Sequence, residues 1–223
     1  MKTLFDDTEQ LGLFAEQETS LKPRQFRLAL SDDRPMPNAH VLMYQTFFDK
    51  SESDRLFSEL LNGTRWRQDK MKLYGKDIDL PRRTAWYGDN DKDYTFSGIT
   101  MNPETWTATL LKIKQRIEQV ANVKFNSVLL NHYRDGNDSI SWHTDAEREL
   151  GKNPTIASVS FGGTRRFMLR HINDKDLKTE VELTSGSLLI MADQTQHFWQ
   201  HQIPKTKISV APRINLTFRQ IKL

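Results

Sequence analysis

The sequence predicts a mainly β protein with flanking helices, an α+β arrangement, and three observations carry that prediction. First, beyond Phe125 the chain breaks into short runs with alternating apolar residues: Ser127–Tyr133, Ile156–Phe161, Arg166–Arg170, Ser187–Ala192, Ile208–Ala211 and Ile214–Phe218. Such alternation is the mark of half-buried strands. Second, Asp135-Gly136, Gly162-Gly163 and Ser185-Gly186 punctuate these runs with turn residues, which suits an antiparallel sandwich or barrel. Third, two helical patterns come before them and would back such a sheet.

Taken in order, residues 1–24 are polar and acidic without a sustained period and read as a flexible arm. Val41 to Phe48 reads as a strand. Ser51-Glu52-Ser53-Asp54 offers a helix cap ahead of Leu56, Phe57, Leu60 and Leu61, with Gly63 as the stop. A second helix is expected with Asn102 as cap and Pro103 in its first position. Trp106, Leu110, Ile113 and Ile117 then follow at helical spacing. The expected organisation is therefore an arm over 1–24, a helix and strand extension over 25–125, and a β core over 126–223 forming one globular unit with that extension.

Composition removes several chemistries. There is no cysteine, so disulfides, thiolate catalysis and cysteine-bound zinc or iron–sulfur clusters are excluded. Any metal must be held by His, Asp, Glu or backbone oxygen. No run approaches the roughly 18 to 20 apolar residues of a membrane span, and acids occupy the place of a signal peptide's apolar core. A location in the cytoplasm is expected. Net charge is +3, but residues 1–20 carry one lysine against five acids, leaving about +7 on the rest. A mildly basic body suits a polyanionic partner.

The chemistry centres on His143-Thr144-Asp145. In extended backbone, residues two apart point the same way and can reach one ion. A third histidine, His197 or His201, would complete two imidazoles and a carboxylate on one face of an octahedral metal. That set suits non-haem iron(II) and leaves positions open for a bidentate cosubstrate and O2. Further on, Arg213, Asn215, Thr217 and Arg219 share one face of a strand, while Ile214, Leu216 and Phe218 share the other. Guanidinium groups on a face turned into a cavity could grip a dicarboxylic acid. Asn131 and Tyr133 follow the same alternation.

Together, the H-x-D, the H-x-I-P and the R-x-N-x-T-x-R resemble the AlkB family of Fe(II)/2-oxoglutarate-dependent DNA dealkylation dioxygenases. The resemblance runs from about Met71 to Arg219, through PRRTAWYGD, YTFSG, FNSVLLNHYRDG, HTDAEREL, ASVSFG and APRINLTFR, and is nearest to the duplex-DNA-acting branch. It implies a double-stranded β-helix (jelly-roll) core with an N-terminal nucleotide-recognition extension that carries a lid and a DNA hairpin. It implies iron held by His143, Asp145 and His201, the last because the family histidine precedes x-x-Pro, here Gln202-Ile203-Pro204. His132, His171 and His197 are then structural or surface residues. Asn131, Tyr133 and Arg213 would hold the distal carboxylate of 2-oxoglutarate, with Asn215 and Arg219 toward its iron end, and O2 as co-reactant.

The resemblance also assigns a substrate side. Tyr94 and Phe96 would stack on an extruded base, and Glu147 would lie near the damaged ring. Tyr74, where the family more often has Phe, would wedge into the vacated stack. Arg82 and Arg83 would contact the DNA strand. The implied reaction is oxidative demethylation of 1-methyladenine and 3-methylcytosine, with etheno adducts as a further class. An RNA or single-strand dealkylase of the same fold stays open, as does a non-catalytic binder of damaged nucleic acid. Within the arm, Gln10, Leu11, Leu13 and Phe14 resemble the Q-L-x-L-F peptide that bacterial replication proteins present to the sliding clamp. The protein is expected to be a monomer, nucleoid-associated if bacterial.

Overall fold

A computed structural model describes residues 25–30, 32–73, 75–89, 94–96, 99–101 and 103–222, with the backbone alone at 71–73, 76, 94–96 and 99–101. The segment holding Gln10, Leu11, Leu13 and Phe14 lies outside the described residues, as does Tyr74. The chain opens with strands β1 (Gln25–Arg27) and β2 (His40–Tyr44), then helix α1 (Lys50–Gly63). The β3 (Lys70–Leu73) and β4 (Lys76–Asp79) hairpin, β5 (Arg83–Gly88), and the β6 (Tyr94–Phe96) and β7 (Ile99–Met101) hairpin follow, before helix α2 (Ala108–Ala121). Strands then dominate: β8 (Ser127–Tyr133), β9 (Ile140–His143), β10 (Ile156–Gly162), β11 (Arg165–His171), β12 (Lys178–Leu183) and β13 (Ser187–Ala192). A single helical turn, α3 (Thr195–Phe198), leads into β14 (Trp199–Ile203), and β15 (Arg213–Arg219) closes the fold.

Seven strands form one sheet in the order β1-β2-β13-β10-β15-β8-β5, and four form a second in the order β12-β11-β14-β9. Neighbouring strands in both run antiparallel. The two sheets face each other as a jelly roll, the expected architecture. The larger sheet takes β1, β2 and β5 from the first half of the chain, so that half completes the sandwich as well as preceding it.

Two apolar layers follow from the alternation. On one face of the larger sheet, Leu56 and Leu60 of α1 and Leu110, Ile113 and Ile117 of α2 pack against Val128, Leu130, Val159, Ile214, Leu216 and Phe218. Between the sheets, Met43, Ile156, Leu189 and Met191 meet Phe167, Leu169, Leu183, Trp199 and Ile203. Strand β15 is buried on both faces. Its even-numbered apolar residues serve the helix layer, which frees the odd-numbered polar ones to face the space between the sheets.

Several expected boundaries move. Strand β2 stops at Tyr44, because Phe47 and Phe48 both donate their amides to the Gly186 carbonyl and turn into the core. Helix α1 is capped by Asp49, whose Oδ1 accepts from the Glu52 amide at 2.8 Å, and Ser53 of the expected cap lies inside the helix. Helix α2 is capped by Thr107, so Pro103 and Trp106 precede it. The chain just after Pro103 runs beside β5 instead, with the Glu104 amide donating to the Trp86 carbonyl. Ile208–Ala211 is no strand, and Ile208 is 76% exposed.

Candidate active site

His143 ends β9 and lies directly opposite His201 of β14 in the strand register. Their rings meet edge to face with centroids 4.2 Å apart. Asp145, two residues past the end of β9, turns its carboxylate between them, with Oδ1 3.7 Å from His143 Nε2 and Oδ2 3.9 Å from His201 Nε2. Ligand atoms of the three residues all lie within 4.8 Å of one another. His143 Nδ1 sits 2.8 Å from the Ser141 carbonyl oxygen. A carbonyl only accepts, so the proton belongs on Nδ1 and the Nε2 lone pair is left for a metal. The Asp145 amide donates to Gln196 Oε1 at 2.9 Å, and Gln196 is itself fully buried.

The electrostatics favour ligation. Burial pushes the His201 pKa down to about 3, and the neighbouring His143 adds to that, so its ring is neutral at pH 7. Burial works against the charge of Asp145, but Arg219 and the two histidines outweigh it and hold its pKa at about 2. Arg219 Nη2 approaches Asp145 Oδ1 to 3.1 Å.

Behind this cluster, between the sheets, is a cavity of about 530 Å³ including its mouth. The register of β15 against β8 sets Arg213 opposite Tyr133 and Asn215 opposite Asn131. Strand β10, on the other side of β15, sets Ser158 opposite Thr217 and Ser160 opposite Asn215. Arg213 is 1% exposed, lies over the Tyr133 ring at 5.1 Å and donates from Nη2 to Ser160 Oγ at 2.9 Å. Its Nε and Nη1 are buried without a hydrogen-bond partner. Burial lowers its pKa to about 10, which leaves it a cation at neutral pH. A buried guanidinium with open donors calls for an anion, since leaving it unmatched costs several kcal/mol, roughly. The residues therefore fit both groups: iron(II) at the two histidines and the carboxylate, and a dicarboxylate reaching back to Arg213.

The cavity brings together His143, Asp145, His201, Asn131, Tyr133, Arg213, Asn215 and Arg219. Asn215 is less open than expected, because its Nδ2 donates to Ser158 Oγ and to the Val159 carbonyl. Arg82, expected with Arg83 to contact the DNA strand, is 7% exposed, lines the cavity and donates from Nε to Asn131 Oδ1 at 2.8 Å. The adjacent Arg83 is the exposed one. Glu147 lies at the edge of the charged cluster, outside the cavity lining, with Oε2 unpartnered. Burial, with Asp145 adding to it against the pull of Arg219, raises its pKa to about 7. Tyr94 and Phe96 belong to β6, paired with Met101 and Ile99 of β7, and their side chains lie outside the described residues.

His197 does not share the strand of His201. It belongs to α3, is exposed and lies 3.0 Å through Nε2 from Asn153 Oδ1. His132 is buried against Trp66 on the helix side of the sheet, and His171 stacks on Phe198. Sequence reasoning missed Gln196, Ser158 and Ser160. The serines alternate with Ala157 and Val159 and could have been found by the same period that marked β15; nothing local marks Gln196.

Two histidines and one carboxylate facing a cavity with a buried arginine, inside a jelly roll, define the class of non-haem iron oxygenases that use a carboxylic acid cosubstrate. The chain belongs to the AlkB family within the 2OG-Fe(II) oxygenase superfamily, whose family model matches residues 40–219. It is 40% identical over 188 residues to the DNA oxidative demethylase ALKBH2 of Mus musculus, covering 80% of this chain and 79% of that one. It is 40% identical over 196 residues to the alpha-ketoglutarate-dependent dioxygenase alkB homolog 3 of Mus musculus, covering 84% of this chain and 68% of the relative. The solved structure of OsALKBH1 matches with a TM-score of 0.60 at 19% identity, over 81% of this chain and 97% of that one, a likeness of fold. The chain is accordingly an Fe(II)- and 2-oxoglutarate-dependent dioxygenase.

Proposed function

We propose that the protein repairs DNA by oxidative removal of alkyl groups from ring nitrogens of bases. The observation that carries this is the joint presence of the His143, Asp145 and His201 cluster and the open donors of Arg213 in a chain 40% identical to a DNA oxidative demethylase. 1-Methyladenine and 3-methylcytosine are the main substrates in this reading, with etheno adducts as a further class. Duplex DNA is the context, and the base is flipped out to react. Alkylation at a pairing edge weakens pairing, which lowers the cost of extrusion and selects damaged bases.

Iron(II), with 2-oxoglutarate and O2, supplies the oxidation of an alkyl C–H bond to C–OH. The chain positions and shields. His143, Asp145 and His201 hold the metal, and the Ser141 carbonyl fixes the His143 tautomer. Arg213, Tyr133 and Asn131 bind the far carboxylate of the cosubstrate, while Arg219 steadies Asp145. Once the carbon bonded to the ring nitrogen carries a hydroxyl, the C–N bond breaks: that carbon and its oxygen leave as formaldehyde, the bonding pair returns to the ring nitrogen, and the hydroxyl proton passes to solvent. Tyr94 and Phe96 stack on the flipped base, Glu147 lies beside it, and Tyr74 fills the gap in the duplex. Arg83, exposed at the start of β5, is the basic contact to the strand.

The Gln10, Leu11, Leu13 and Phe14 segment gives a second partner, a bacterial sliding clamp, in a peptide-in-groove mode. A protein that acts at DNA as a monomer in the cytoplasm fits this reading. No helix among the described residues is long and apolar enough to cross a membrane. Retention on an immobilised bacterial clamp, lost when Leu13 and Phe14 become Ala, tests the partner; equal retention of the variant ends it.

The enzymatic test is anaerobic loading with iron(II) and 2-oxoglutarate, then O2 and duplex DNA with one 1-methyladenine, read by mass spectrometry. Loss of the methyl group with matching succinate, abolished in His143→Ala, is the expected result. Succinate without repair moves the substrate to RNA or another lesion. No succinate from protein shown to hold iron overturns the catalytic reading.

A further inference from the structure

Arg82 precedes β5, yet its side chain runs inward to the cavity wall. Its Nε donates to Asn131 Oδ1 at 2.8 Å, and its Nη1 donates to the Ser139 carbonyl at 3.3 Å. Both contacts are buried. Ser139 immediately precedes β9, the strand that ends in His143, and Asn131 is in β8, the strand that carries Tyr133. One guanidinium therefore joins the strand of a metal ligand to the strand of the cosubstrate ligands.

The chemistry of the contact fixes more than position. Arginine has donors only, so the Asn131 atom that faces it must be the carbonyl oxygen. The amide nitrogen is then turned the other way. Asn131 Nδ2 makes no hydrogen bond to any described residue, although the residue is 4% exposed and lines the cavity. Asn215, its partner across the β8–β15 register, has already committed both amide hydrogens to Ser158 and Val159. Of these two cavity amides, Asn131 alone is left with hydrogens to offer an anion.

Charge adds a second argument. Of the arginines lining the cavity, Arg219 is paired with Asp145, which leaves Arg82 and Arg213 as the positive charges facing a dianionic acid. Arg82 is held away from solvent, where its field is weakly screened.

We propose that Arg82 is a positioning residue for 2-oxoglutarate: it orients the Asn131 amide so that Nδ2 donates to the cosubstrate carboxylate, and it takes no direct part in holding DNA. This rests on the reading of Asn131 as a cosubstrate ligand. The test uses full-length protein loaded with iron(II) under nitrogen. Calorimetric titration with 2-oxoglutarate is compared with fluorescence anisotropy of a duplex carrying 1-methyladenine, the latter without cosubstrate. The variants are Arg82→Met, Arg82→Lys, Asn131→Ala and the double variant Arg82→Met with Asn131→Ala.

The expected result for Arg82→Met is a Kd for 2-oxoglutarate raised about tenfold, the worth of one charge-assisted hydrogen bond. Its Kd for DNA should stay unchanged, and kcat at saturating cosubstrate should be largely kept. Asn131→Ala should weaken cosubstrate binding to a similar degree, and the double variant should be no worse than either single one. Arg82→Lys, which keeps a donor and the charge, should fall between wild type and Arg82→Met, and it decides the matter if Arg82→Met does not fold. Weakened DNA binding with unchanged cosubstrate binding in the Arg82 variants overturns the proposal, as does full additivity in the double variant. If Asn131→Ala binds 2-oxoglutarate as wild type does, the underlying reading of the cavity is what fails.

Discussion

The backbone amide of Asp145 donates to the side-chain oxygen of Gln196, joining a metal ligand on one element to the helical turn that leads into the strand of another. Asp145 follows β9 and His201 sits in β14, so beyond the strand pairing their spacing rests on this amide and on the Arg219 contact to the Asp145 carboxylate. In Gln196→Ala the Asp145 amide would be left buried and unmatched. Loss of supporting contacts of this kind lowers metal affinity by roughly 10 to 100-fold. Competition with a calibrated chelator should show a weaker iron(II) site in Gln196→Ala, with Gln196→Glu closer to wild type because it keeps the acceptor. Unchanged metal affinity in both would reduce Gln196 to a packing residue.

Arg213 offers a sharper case, because two of its nitrogens are buried and open. In Arg213→Met the dicarboxylate would lose the most deeply buried cation among the described residues lining the cavity, a change on the order of 3 kcal/mol, or more than 100-fold in Kd. Calorimetric titration with 2-oxoglutarate checks the size. The fold itself should tolerate the change, since a methionine removes an uncompensated charge; a higher Tm in the absence of cosubstrate is the expected sign.

A third expectation concerns acid. Arg134 donates to Asp138 from Nε, Nη2 and its own amide, and Asp138 is almost fully buried. Burial alone would raise the Asp138 pKa, but these bonds outweigh it and hold it below the ordinary 3.8. A lowered folded pKa means stability that is fully present above the ordinary carboxylate range and is lost as pH falls through the folded value. Asp138→Asn should therefore cost about 1 to 3 kcal/mol at neutral pH, toward the lower end because Arg134 is part-exposed. Urea unfolding at a series of pH values should show the gap from wild type closing below roughly pH 4. A gap that stays constant into acid would mean the carboxylate's charge contributes nothing.

Gly162 carries the fourth. It ends β10 at a φ of +85°, and an added Cβ would run into the Pro212 carbonyl and the Phe57 ring. The residue after Pro212 is Arg213, so pressure there reaches the cosubstrate cavity through the backbone. Gly162→Ala should lower stability by about 1 to 3 kcal/mol and weaken 2-oxoglutarate binding at temperatures where the protein is still folded. A variant with a lowered Tm and normal binding would confine the effect to the fold.

Much of the site could be read along the chain because strands write their faces in alternation. Arg213, Asn215, Thr217 and Arg219 announced a polar face, and the cavity is where that face looks. What stayed hidden depends on partners distant in sequence. Arg82 and Asn131 are 49 residues apart, and the next residue, Arg83, is exposed, so an adjacent pair of arginines gave no hint of which one turns inward. His197 shared parity with His201 only if the strand ran unbroken, and one helical turn ends that relation. Pro103 met the rule for a helix start, but the Glu104 amide pairs with Trp86 in β5, and the helix begins only after Thr107. Local propensity was overridden by a neighbour that the local sequence does not reveal.

Strand β15 has no solvent side. Its apolar residues are the wall against which the helices lie, and its polar residues are the floor of the cavity. The same seven residues are thus a structural beam and a working surface, so the beam cannot soften while the surface keeps its shape. Enzymes whose working groups sit on outer loops commonly lose turnover on warming well before the body melts. Here the ability to seat the cosubstrate and the integrity of the sandwich should disappear over the same few degrees, with no intermediate range in which an intact protein has merely gone idle.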